Sequence, residues 1–186
     1  AGHESDWALT EPSFGEANVA ALTGDPSTLQ INEWLAAEEV LFDDDFVELY
    51  NPDPLPVGLG GLFLTDDPYA RPGKHEIAPL SFIAGSGFAV FVADSDLEKG
   101  PHHVDFKLSA ETEMLGLYDA ELGEIDKIIY YPQTTDASEG RAPDGTETYE
   151  FFMLPTPGVS NPTPATVTVE LIAIDDDWAY DQSGGA

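Results

Sequence analysis

Glycine and proline break this chain into pieces too short for long helices. Turn signals built from 17 glycines and 15 prolines recur roughly every ten residues, and the runs between them are rich in Val, Ile, Leu, Phe and Tyr. Branched and aromatic side chains fit a pleated, half-buried surface, and the punctuation supplies reversals. Together they predict an all-β protein. Strands are expected over Leu29–Leu35, Phe46–Asn51, Val57–Thr65, Gly87–Ala93, Val104–Leu108, Met114–Tyr118, Ile125–Tyr131, Tyr149–Leu154 and Thr166–Ile174.

Alternation assigns faces within these runs. Ile31, Glu33 and Leu35 are expected on one face and Asn32, Trp34 and Ala36 on the other. Phe88–Val92 is apolar on both faces and suits a central strand. Glu33–Val40 holds fair helix formers but reads as strand plus turn. Asp144-Gly145 and Gly85-Ser86-Gly87 mark turns, and Pro155-Thr156-Pro157-Gly158 ends a strand because its prolines donate nothing to a ladder.

Charge narrows the range of partners. With 36 acidic residues against 6 basic ones the formal net charge is -30. Nucleic-acid affinity comes largely from lysine and arginine releasing counterions, so DNA, RNA and anionic lipid headgroups are poor partners. Self-repulsion on this scale favours a salty medium or bound cations. The chain of 186 residues, 42% of them hydrophobic, is long enough for one main domain with a full core. It has no cysteine, hence neither disulfide nor thiolate chemistry. No apolar run reaches the roughly 18 residues that a membrane-spanning helix needs, so no membrane insertion is expected. The start, AGHESDWALT, lacks the basic and apolar regions of a signal peptide, so an exported protein would have been processed or cut from a longer precursor.

Nine blocks occur in order along the chain. They are Ile31-Asn32-Glu33; Phe46-Val47-Glu48-Leu49-Tyr50-Asn51-Pro52; Val57-Gly58-Leu59-Gly60-Gly61 running into Leu64-Thr65-Asp66-Asp67; Gly87 with Val90-Phe91; Phe106-Lys107-Leu108-Ser109; Glu113 with Leu115-Gly116-Leu117-Tyr118-Asp119; Ile125-Asp126 with Tyr131-Pro132; Ser138 with Gly140-Arg141 and Pro143-Asp144-Gly145; and Pro155-Thr156-Pro157-Gly158 with Asn161. Over Leu29–Asn161 this series resembles the bacterial, extracellular type of the lamin tail domain family. The resemblance implies an Ig-like antiparallel β-sandwich that works by presenting and joining surfaces. Two features depart from the family. Leu62 and then Phe63 stand where an aromatic often follows the second glycine of the third block. The basic surfaces that animal nuclear lamins turn toward chromatin have no counterpart, nor does their heptad rod.

The chain also resembles itself. Pro12-Ser13-Phe14-Gly15-Glu16-Ala17-Asn18 repeats the form of Pro155-Thr156-Pro157-Gly158-Val159-Ser160-Asn161, both fitting P-[ST]-x-G-x-x-N. Residues 1–18 therefore read as the end of a preceding module, 19–28 as a linker and 29–161 as the main domain. Residues 162–186 read as a Pro-rich spacer plus a strand that could open a following module.

Catalytic constellations are not evident, and no enzyme activity is expected. There is no G-x-S-x-G elbow, and His3, His75, His102 and His103 sit beside no serine motif. His102 and His103 would point to opposite faces of a strand. Among 36 acidic residues, paired carboxylates carry no information. Calcium is the candidate cation, since hard ions take clustered loop oxygens. Asp94, Asp96 and Glu98 are the first choice, because alternate residues of a bent loop can converge on one ion. Trp34 is expected in the core, with Trp7 and Trp178 in the flanks, and Arg141 is expected to anchor its loop through a carboxylate or backbone carbonyls.

These readings point to a non-catalytic structural, adhesion or spacer module of a larger secreted or surface protein. Its partners would be neighbouring modules or like subunits meeting sandwich edges. Thr166, Val167, Thr168, Val169, Glu170 and Leu171 are the candidate partner-binding residues, since an edge strand offers unpaired backbone groups. The alternatives are a polysaccharide-binding module using exposed aromatics and a calcium-stabilised scaffold.

Overall fold

The structure, a computed structural model, describes residues 8–163 of the chain. Thirteen strands are present in this range: β1 Thr10–Glu11, β2 Val19–Ala20, β3 Gln30–Leu35, β4 Phe46–Tyr50, β5 Val57–Gly58, β6 Phe63–Thr65, β7 His75–Glu76, β8 Phe82–Ile83, β9 Phe88–Val92, β10 Glu113–Tyr118, β11 Glu124–Tyr130, β12 Ser138–Arg141 and β13 Tyr149–Phe152. A five-stranded sheet runs β13-β12-β3-β4-β9 and a four-stranded sheet runs β11-β10-β6-β7, with β1-β2 and β5-β8 as short pairs. Every pairing between named strands is antiparallel. The all-β antiparallel sandwich expected from the sequence is the architecture found.

Apolar side chains that alternate along the strands meet between the sheets. Ile31, Trp34, Val47, Leu49 and Phe91 come from the larger sheet and Leu64, Leu115, Leu117, Ile128 and Tyr130 from the smaller one. The Trp34 ring lies 6.0 Å from that of Tyr130 and 5.8 Å from that of Tyr149. It thus ties β3 to both β11 and β13.

A bulge corrects the face assignment in β3. Ile31 is opposite Leu49 and Glu33 is opposite Glu48, so Asn32 is the extra residue. The phase shifts there. Ile31 and Trp34 both enter the core, while Asn32 and Glu33 turn to the outer face beside Glu48.

Other expectations also change. Val57–Thr65 is split, because Leu62 N–H donates to Leu59 O and Gly61 adopts φ +83° in a tight turn. Val104, Phe106 and Leu108 are buried as alternation requires, yet the segment makes only single bridges, Val92 with His103 and Asp94 with Lys107. β9 terminates its sheet instead of lying centrally. Its free edge is covered by residues 102–104, through Val92 N–H to His102 O at 2.7 Å and Val104 N–H to Val92 O at 2.9 Å. β12 was not expected as a strand. The Thr166–Ile174 expectation, with its candidate partner-binding residues, lies outside the described residues.

Candidate functional site

Two buried polar centres and one exposed flank emerge from this frame. The first centre is on the outer face of the five-stranded sheet. Glu33 and Glu48 are opposite one another there and are fully buried. Glu33 accepts from the Ser138 hydroxyl at 2.5 Å and the Thr156 N–H at 2.9 Å. Glu48 accepts from the Gly158 N–H at 2.6 Å and Asn32 Nδ2 at 3.2 Å. Residues 155–161 therefore form a strap seated on both carboxylates. Asn161 fixes its far end, since Nδ2 donates to Arg141 O at 2.8 Å and Asn32 O at 3.3 Å. Gly140 lies beneath, where a Cβ would come within 2.5 Å of Asn32 O. Desolvation pushes the Glu33 carboxyl above its ordinary range. It pushes Glu48 up to about 8, with Glu33 and Asp144 adding to the rise.

The second centre crosses between the sheets. Arg141 Nε donates to Ile31 O at 2.9 Å, Nη1 to Thr146 O at 2.6 Å and Nη2 to Asp126 at 3.1 Å. Asp126 in turn accepts the Ile31 N–H at 2.7 Å. The ion pair thus satisfies both polar groups of Ile31 just before the bulge, at the point where β3 leaves its ladder with β12. Arg141 anchors the loop that follows it, as the sequence suggested.

Asp45 forms a smaller acidic spot. Its Oδ1 is buried without a hydrogen-bond partner. Burial, with the Glu38 carboxyl adding to the effect, pushes its pKa up to about 8.

The calcium candidates Asp94, Asp96 and Glu98 follow β9 in the chain and are linked through backbone N–H groups. Asp94 Oδ2 accepts from Lys99 Nζ at 2.7 Å and faces His103 Nδ1 at 3.0 Å, while Oδ1 accepts the Asp96 N–H. Asp96 caps the 3-10 turn Leu97–Lys99 by accepting the Glu98 N–H at 3.2 Å. Against the desolvation of its site, Lys99, the Asp96 N–H and His103 hold Asp94 down at about 2. A cation entering here would have to displace the Lys99 ammonium. Among the described residues, no three His, Asp or Glu side chains are gathered to hold a metal.

Trp34 is 1% exposed and belongs to the core. Trp7 and Trp178 lie outside the described residues. The exposed flank instead involves β11 and β13, the terminal strands of their sheets, which converge around Trp34. Ile129 and Tyr131 at β11, and Phe151, Met153 and Leu154 at β13, are exposed. On one side β13 is paired with β12, and its other side carries no strand among the described residues.

Sequence reasoning missed Glu33 and Glu48 as a pair. The available signal was an acid embedded in a short run with large apolar residues, Ile31-Asn32-Glu33-Trp34 and Val47-Glu48-Leu49, in two adjacent strands. Among the described residues, no helix is long and apolar enough to cross a membrane. Comparison with protein-family profiles, curated proteins and solved structures gives no match for this chain.

Proposed function

We propose that the protein is a non-catalytic, Ig-like contact module of the lamin-tail kind, part of a larger secreted or cell-surface protein. It joins neighbouring modules or like subunits through the β11–β13 flank. One observation carries this reading: Phe151, Met153 and Leu154 stand exposed on and just beyond an edge strand whose outer side carries no strand among the described residues. An edge of that kind pairs with another strand, and apolar side chains beside it supply the buried area. The use of the ionisable groups supports the same reading, since Glu33, Glu48 and the Arg141–Asp126 pair hold strap, loop and bulge in place.

With a formal charge of -30, copies repel one another until salt screens them. Sedimentation velocity at low and at molar sodium chloride tests the reading. Association should strengthen with salt and be lost in a Phe151→Ser/Leu154→Ser chain that melts like the parent. A chain that stays monomeric at every salt concentration, or associates equally well with both substitutions, would count against the flank.

A further inference from the structure

The two P-[ST]-x-G-x-x-N segments share more than letters. In the front copy the Ser13 hydroxyl meets Asn18 Oδ1 at 2.9 Å, and in the rear copy the Thr156 hydroxyl meets Asn161 Oδ1 at 3.0 Å. The central glycine is left-handed in both, Gly15 at φ +77° and Gly158 at φ +86°. The pattern thus encodes one turn, closed by a hydroxyl-to-asparagine contact across five residues and made possible by glycine at its apex.

Their surroundings differ. The rear turn is seated, with the Thr156 and Gly158 N–H groups on Glu33 and Glu48 and Asn161 on the backbone of Asn32 and Arg141. The front turn has no such seat among the described residues. Residues 14–20 are all exposed, and its arms pair with each other, Thr10 with Ala20 and Glu11 with Val19. At the position of Pro157 it presents Phe14, a fully exposed residue. Pro157 borders a notch in which Phe42, Phe46, Val90 and Val92 supply an apolar floor beside Asp43, Asp44, Asp45 and His103. A phenylalanine at that position is placed to fill such a notch.

We propose that Pro12–Asn18 is a second strap whose seat is the outer face of another sandwich of this same build, with two facing buried glutamates under the turn and a notch with an apolar floor for Phe14. The partner is a distinct module rather than a second copy, because each copy's seat is filled by its own residues 155–161. This inference rests on the seated turn and is independent of the β11–β13 flank.

The test is a strap exchange in the full chain. Thr156→Ser, Pro157→Phe, Val159→Glu and Ser160→Ala place the front sequence on the rear seat. The grafted chain should melt within about 5 °C of the parent, and the residue 158 amide should keep the slow hydrogen exchange that its bond to Glu48 confers. A second graft that retains Pro157 separates the turn from the aromatic. It should keep the amide protection and melt no higher than the full graft. Overturning results are a full graft that fails to fold, one that melts more than about 10 °C lower, or loss of residue 158 protection in either graft.

Discussion

Glu33 and Glu48 face each other across the β3–β4 ladder, both fully buried, and the donors that reach them are amides and hydroxyls. Two acids placed in this way raise each other's cost of ionisation on top of the desolvation each one bears. The 155–161 strap offsets part of that cost by aiming backbone N–H groups at them. Closure of the outer face and protonation of this pair are therefore linked.

Thermal stability should depend on pH in a defined direction. Glu48 holds its proton up to about 8 in the fold against 4.5 ordinarily. The folded state binds more protons across that interval, so its contribution is full below 4.5 and is lost as pH rises toward 8. Asp45 acts in the same direction between 3.8 and about 8. Asp94 acts oppositely, its carboxyl at about 2 against 3.8 giving stability above 3.8 that is lost as pH falls. Calorimetry should find a melting maximum near pH 4 to 5, roughly, with a decline on either side. Glu48→Gln should remove on the order of 3 kcal/mol from the alkaline decline; an unchanged alkaline slope would speak against the burial of Glu48.

Gly158→Ala tests the apex of the strap. An added Cβ meets nothing within 4 Å, but φ +86° is a conformation that alanine adopts only under strain. A loss of about 1 to 2 kcal/mol is expected in urea unfolding. Gly140→Ala should cost more, because its Cβ would meet Asn32 O at 2.5 Å.

Arg141→Lys keeps the charge and removes the fork. One ammonium has difficulty serving Ile31 O, Thr146 O and Asp126 together, and the Asp126 carboxylate is left short of a donor. Chemical denaturation should show a loss of about 2 to 4 kcal/mol. A loss below about 0.5 kcal/mol would mean that the sheets do not depend on this bridge.

Trp34→Ala should cost about 3 to 5 kcal/mol, because it empties the space shared by Tyr130 and Tyr149. Trp34→Phe should cost clearly less, with melting temperature as the readout. Equal losses would place the side chain outside the core.

The alternation of short apolar runs made the sandwich legible, because side-chain period follows directly from strand geometry. The bulge at Asn32 was not legible. In Ile-Asn-Glu-Trp two adjacent polar residues interrupt the alternation, but only pairing with Glu48 shows that the interruption is an extra residue. β12, Ser138–Arg141, contains little that favours strands by itself and is held by neighbours on both sides. Val104–Leu108 shows the converse, since its alternating burial was readable but its lack of a ladder depends on where the chain crosses β9. In so acidic a chain, Glu33 and Glu48 look like ordinary solvent-facing residues until strand order places them together under the strap. The P-[ST]-x-G-x-x-N repeat was visible in the letters, whereas the seat of its rear copy was not.

The most direct measurement follows the Glu48 side-chain carboxyl carbon and the Gly158 amide proton together by NMR from acid to alkaline pH. Both should titrate with one midpoint near 8, the value to which burial raises Glu48, because the amide donates to that carboxylate. A Glu48 midpoint near the ordinary 4.5, or a Gly158 amide that ignores it, would contradict a strap seated on a buried acid pair.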